Sequence, residues 1–235
     1  MRHVAGLGVL DASTVAAHVV WLDTLEMDML AASSAGAIHN PTSNLKTGAG
    51  ISPVPEMIRR GVKVGLGTDG AASNNDLDLW EEVRLAALLH KGVGDRDPSV
   101  MPAATALCLA TRCGAEAAGL GDVTGSIEIG KRADLVQVSL ESPRLAPLYD
   151  VVSHLVYAVD HQDLVTTVVD GQVLMREGVV LTVDGAAAAA EAAGMAARIR
   201  DALGDGGAGD GMRADSQAIA GVLPLPEHLR WEHLP

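Results

Sequence analysis

The stretch VKVGLGTDG, residues 62–70, decides the reading of the chain. A short apolar run ends at Gly67-Thr68, the carboxylate of Asp69 follows, and a loop of small residues begins. Runs of this kind, bounded by turn residues, suit strands buried on both faces. A carboxylate just past the C-terminal end of such a strand stands where a β/α barrel gathers its catalytic groups. Asp69-Gly70 also suits a plain turn, so the neighbouring segments have to decide.

Towards the N-terminus, AIH (37–39) forms a short strand closed by His39, and STVAAHVVWLD (13–23) a further strand, buried on both faces, with His18 inside it. Helical patterns fill TLEMDMLAASSAG (24–36) and PVPEMIRRG (53–61), while HNPTSNLKTGAGISP (39–53) is expected as a loop offering Asn40, Ser43 and Asn44. Towards the C-terminus, Asn74-Asn75-Asp76 suits the cap of an amphipathic helix in DLWEEVRLAALLHKG (78–92). MPAATALCLATRCGAEAAGL (101–120) is expected as one more helix, with Pro102 in its first turn. Strands alternating with helices at this spacing predict parallel βαβ units, an α/β class. Asp76 and Asp78 are minor candidates for an additional carboxylate.

After Gly119 the pattern changes. GSIEIGKRADLVQVSL (125–140), HLVYAV (154–159) and LVTTVVDGQVLMREGVVL (164–181) alternate apolar and polar residues, and Asp170-Gly171 between two apolar runs is a hairpin signal. The expected division is 1–119 for the βαβ part, 120–183 for a small β module, and 184–235 for an Ala-rich helix with a Gly/Asp-rich tail that docks or frays through its leucines and Trp231.

Composition narrows the partners. A net charge of −13 repels phosphate backbones and anionic lipid, and no basic patch offsets it, so no nucleic acid and no membrane surface is expected. No apolar run reaches the roughly 18 residues of a spanning helix, and the start lacks a secretory pattern, so a cytoplasmic location is expected. Cys108 and Cys113, alone and five apart, are expected as two buried small side chains rather than a disulfide framework or a zinc knuckle.

The series AAHVVWLD (16–23), then HNPTSNLK (39–46), LGTDGAASNN (66–75) and GSIEIGKRADLV (125–136), resembles the 5-methylthioadenosine/S-adenosylhomocysteine deaminases of the amidohydrolase superfamily, over about residues 12–183. The resemblance implies strands six to eight of a (β/α)8 barrel plus part of a β-sandwich domain. It implies that His18 orients the attacking water, that Asp69 binds the metal and carries the proton, and that His39 and Asp69 line the pocket of a small purine nucleoside. It implies a zinc ion, which lowers the pKa of bound water to about 7, and a hydrolytic deamination releasing ammonia and the hypoxanthine form.

The same resemblance implies an H-x-H pair, a further His and a nearby Glu that this chain does not contain. A whole barrel takes about 250 residues, whereas the βαβ part ends near residue 119. The chain is therefore expected to act only with a complementing N-terminal segment, or to self-associate. Three other readings stay open: a triazine or related heterocycle hydrolase of the same superfamily, a non-catalytic remnant kept as an interaction or structural domain, and an independent binding module folding around its own small core.

Overall fold

The computed structural model describes residues 1–94 and 96–207, with the side chains of 203–207 left out. The expectations for the tail beyond residue 207, Trp231 included, lie outside the described residues. The chain divides into two compact units, Met1–Leu181 and Thr182–Pro235. In the second, α10 (Gly185–Gly207) takes up the Ala-rich stretch as a helix. Among the described residues no helix is long and apolar enough to cross a membrane.

The first unit opens with α1 (Arg2–Gly6) and then alternates strand and helix: β1 (Val15–Ala17), α2 (Thr24–Ser33), β2 (Gly36–His39), α3 (Pro41–Lys46), α4 (Val54–Arg59), β3 (Lys63–Leu66), α5 (Ala71–Asn74), α6 (Leu79–Gly92), α7 (Ala103–Leu109) and α8 (Arg112–Ala117). The three strands are parallel in the order β1-β2-β3, with Ala17 opposite Ile38 and His39 opposite Leu66. Local signals place the helices. Asp23 caps α2 by accepting the Glu26 N–H at 2.9 Å, Pro41 stands in the first turn of α3, and Asp78 caps α6 by accepting the Trp80 N–H at 2.7 Å.

Period-two alternation sorts the parallel sheet into two faces. Ala37, Val64 and Leu66 join Met27, Leu30, Val54, Met57 and Val83 in the main core. The other face carries Gly36, Ile38 and Gly65, and α8 packs there so closely that a Cβ on Gly36 would sit 1.8 Å from the Ala117 carbonyl oxygen. A Cβ on Gly65 would lie 2.9 Å from Gly114 Cα. Backbone approach of this kind requires glycine.

Further along lie β4 (Leu135–Val138), α9 (Val151–Tyr157), β5 (Leu164–Val169), β6 (Gln172–Arg176) and β7 (Val179–Val180). The four strands form an antiparallel sheet in chain order. Asp170 and Gly171 make its tight turn, with φ of 50° and 79°, the left-handed pair that a two-residue hairpin needs. Between this sheet and α6, α7 and α8, reaching Leu66 at the end of β3, runs a cleft of about 1260 Å³, walled by residues such as Trp80, Val83, Ala118, Val136 and Val168.

Several expectations are corrected. β1, one of the sheet's two edge strands, is only three residues long and is exposed but for half-buried Ala16. Within the expected loop 39–53, Pro41–Lys46 is helical, and His39 belongs to β2. The 101–120 helix is two helices, broken at Thr111. HLVYAV is helical, started by Asp150, whose side chain accepts the Ser153 N–H at 2.6 Å. Cys108 and Cys113 are neither free nor fully buried: they are bonded to each other across the break between α7 and α8.

Candidate functional site

At the C-terminal end of the parallel sheet the chain leaves β1 and β3 through left-handed backbone. His18 has φ 68°, Val19 φ 40° and Asp69 φ 62°. Such values are uncommon outside glycine, and for β-branched Val19 they mark a sharp turn imposed by the surroundings. The turn is pinned by the His18 N–H, which donates to the Ile38 carbonyl at 2.8 Å. It leaves the imidazole pointing toward α3, where Nδ1 lies 2.8 Å from Asn44 Oδ1. That pairing with an amide oxygen assigns the proton to Nδ1 and leaves Nε2 as the free nitrogen.

Nε2 faces Asp69, 3.8 Å from Oδ2. The same carboxylate oxygen accepts hydrogen bonds from Ser73 Oγ at 2.5 Å and from Ser43 Oγ at 2.8 Å. The Ser73 hydroxyl first, then the Ser43 hydroxyl and the Gly70 N–H, hold the Asp69 carboxyl below the ordinary aspartate range. α3 and α5, which carry the two serines, are tied together by Lys46, whose ammonium donates to the Ala72 carbonyl at 3.0 Å and to Asn75. His18 and Asp69 thus share one open groove of about 430 Å³ with Trp21, Ser43, Thr47 and Ser73. The Trp21 indole, 85% exposed, stands at its rim beside Gly50.

His39 is elsewhere. As the last residue of β2 it shares the face of Ala37, not that of Ile38, and is fully buried with its ring centroid 5.2 Å from that of His90 on α6. The resemblance places it in a substrate pocket beside Asp69; in this structure the alternation of the strand turns it into the helical layer, outside the groove that holds His18 and Asp69. Burial, and for His39 also the neighbouring His90, pushes the two imidazoles down to about 3 and about 4 respectively. Among the described residues neither His39 ring nitrogen has a hydrogen-bond partner. Asp76 and Asp78 also fall outside the groove, Asp78 being spent on its cap.

The sequence reading missed Ser73 and Trp21, and saw Ser43 and Asn44 only as polar loop residues. Their signal was positional, since Ser43 and Ser73 each sit in the first helical turn after a strand.

Among the described residues no three His, Cys, Asp or Glu side chains come together to hold a metal. A catalytic zinc ordinarily uses three protein ligands and an open position. The groove supplies one carboxylate and one imidazole, so these residues alone do not compose a zinc site.

Comparison with known proteins gives the geometry its context. The chain is 46% identical over 184 residues to the 5-methylthioadenosine/S-adenosylhomocysteine deaminase of Dictyoglomus thermophilum, covering 78% of this chain and 43% of that protein. Its structure is similar to the crystal structure of an adenosine deaminase from Xanthomonas campestris with bound zinc, with a TM-score of 0.82 and 38% identity over 85% of this chain and 45% of that one. It is also similar to the atrazine chlorohydrolase of Arthrobacter aurescens TC1 complexed with zinc, with a TM-score of 0.77 and 28% identity over 82% of this chain and 43% of that one. The chain spans less than half the length of each of these proteins. A model of the amidohydrolase family matches residues 1–174, and the chain belongs to that family.

Proposed function

We propose that the chain furnishes the His18–Asp69 part of a hydrolytic deaminase acting on an aminopurine nucleoside of the methylthioadenosine, S-adenosylhomocysteine or adenosine type, releasing ammonia and the hypoxanthine form. The observation that carries the reading is the approach of His18 Nε2 to Asp69 Oδ2 in an open groove at the carboxyl end of parallel strands. A carboxylate kept ionised by two hydroxyls accepts a proton from the attacking water and returns it to the leaving amine. The imidazole beside it, its tautomer set by Asn44, orients that water through Nε2. Deaminases rank above heterocycle hydrolases as the reading because identity is 46% to the deaminase of Dictyoglomus and 28% to the chlorohydrolase.

On this reading β1, β2 and β3 are strands six to eight of a barrel, and the remaining strands, with the other metal ligands, come from the rest of the relatives' length. Asp69 is the one zinc ligand the described residues contribute. The apolar cleft beside β3 receives the strand that continues the sheet.

The test is to purify this chain, measure zinc by elemental analysis and assay ammonia release from methylthioadenosine and S-adenosylhomocysteine, alone and after adding a polypeptide of the missing half. Alone, less than about a tenth of an equivalent of zinc and no turnover are expected, for want of three ligands. With the missing half, turnover is expected and is lost in Asp69→Asn. Turnover that survives Asp69→Asn overturns the reading.

A further inference from the structure

Glu82 lies on α6, outside the groove, and is fully buried. Its two carboxylate oxygens reach different elements. Oε2 accepts the backbone N–H of Thr42 at 3.1 Å, and Oε1 accepts the side-chain amide of Asn74 at 2.6 Å. Thr42 is the second residue of α3, followed by Ser43 and Asn44; Asn74 is the last of α5, preceded by Ser73. One buried carboxylate therefore holds the two short helices from which come the hydroxyls on Asp69 and the amide on His18.

The other ties on these helices are exposed: Thr42 Oγ1 donates to Glu81 Oε1 at 3.2 Å, and Lys46 joins α3 to the Ala72 carbonyl. The Thr42 N–H belongs to the first helical turn, where no intrahelical acceptor exists. Asn74 cannot rotate its amide to serve another acceptor freely, because its Oδ1 already accepts the Leu77 N–H at 2.8 Å. Burial pushes the Glu82 carboxyl up, against the pull of the Thr42 hydrogen bond. A group whose ionised form folding disfavours does not stabilise the chain by being ionised; what it supplies is two acceptors in fixed positions.

We propose that Glu82 is a positioning residue for the His18–Asp69 site, acting through Thr42 and Asn74 to set α3 and α5. The inference deepens the reading of that groove as the working site, yet its test reads ring geometry and not turnover, so it succeeds or fails independently of the reaction assigned.

Nitrogen-15 spectra of the histidine rings, taken on the full chain at a pH above the ordinary histidine range, report the His18 tautomer directly. The wild-type chain is expected to hold the proton on Nδ1, with well-separated ring signals. In Glu82→Gln, which offers a single acceptor for two donors, the signals are expected to move toward a common average as the Asn44 contact loosens. Val156→Ala, a cavity in the same core, is expected to lower the melting temperature and leave the tautomer in place. The proposal is overturned if Glu82→Gln leaves the His18 signals unmoved, or if Val156→Ala moves them equally. Should Glu82→Gln fail to fold, the wild type still decides: the Thr42 amide is expected to exchange slowly although it sits in a first helical turn, and fast exchange there overturns the proposal.

Discussion

His18 and Asp69 follow strands that are separated by β2, yet Nε2 of the one lies 3.8 Å from Oδ2 of the other. Two left-handed turns, at His18 and at Asp69, aim the side chains at each other over the end of the middle strand. Asp69 is then held by hydroxyls rather than by a cation, since Ser73 and Ser43 are its nearest donors. Removing a hydroxyl weakens the ionised form, so Ser73→Ala and Ser43→Ala each raise the Asp69 pKa toward that of an ordinary aspartate, Ser73→Ala by more. Carboxyl carbon-13 titration of Asp69 checks this, and an unchanged midpoint in Ser73→Ala contradicts it.

The buried imidazole pair makes the fold sensitive to mild acid. Folded, His39 and His90 titrate at about 3 and about 4; unfolded, both titrate near the ordinary value of about 6.5. Between those limits the unfolded chain binds more protons, so stability is fully present above about pH 6.5 and drains away as pH falls, by up to about 1.4 kcal/mol per pH unit for each ring. Urea midpoints measured across that window fall with pH in the wild type and fall less steeply in His90→Gln. Equal slopes would show that the pair titrates normally in the folded chain.

Where α8 rests on the parallel sheet, a single methyl group is too much. Gly36→Ala places a Cβ 1.8 Å from the Ala117 carbonyl oxygen, and overpacking of this kind costs about 1–3 kcal/mol or more. Gly92→Ala, at the end of α6 with nothing within 4 Å, is neutral or slightly stabilising. Chemical denaturation of the two variants side by side is the check.

The Cys108–Cys113 bond closes a loop of six residues across the helix break. Chain-entropy arguments give a bond over so short a loop about 2 kcal/mol. Thermal unfolding with and without a thiol reductant, and of Cys108→Ser, is expected to show a matching loss. No difference would mean that the thiols are already reduced in the purified chain.

β2, β3, α2, α6 and the 170–171 hairpin were legible in sequence because each is set locally, by a short apolar run, helical periodicity or a two-residue turn; the cap of α6 was expected at Asn74-Asn75-Asp76 and is Asp78. The site was half legible. Asp69 was expected just past a strand and His18 inside one, but Ser73 and Asn44, which contact them, belong to helices whose docking is a tertiary matter. His39 was placed in the pocket by resemblance alone, and alternation says that Ile38 and His39 face opposite ways without saying which of them faces the groove. α9 was misread as a strand since LVYAV alternates, and only the cap at Asp150 reveals that a helix starts before it. α7 and α8 looked like one helix because two cysteines five apart fit helical spacing as well as they fit a bond across a break.

On the proposed reading, in which the apolar cleft beside the edge strand β3 receives a further strand, the chain's behaviour is also a question of dilution. A strand carried on the same polypeptide meets that edge at an effective concentration in the millimolar range, fixed by its tether, whereas one carried on a separate polypeptide meets it only at its concentration in solution. Activity per mole that is indifferent to dilution marks the first arrangement; activity per mole that falls as the solution is thinned marks the second.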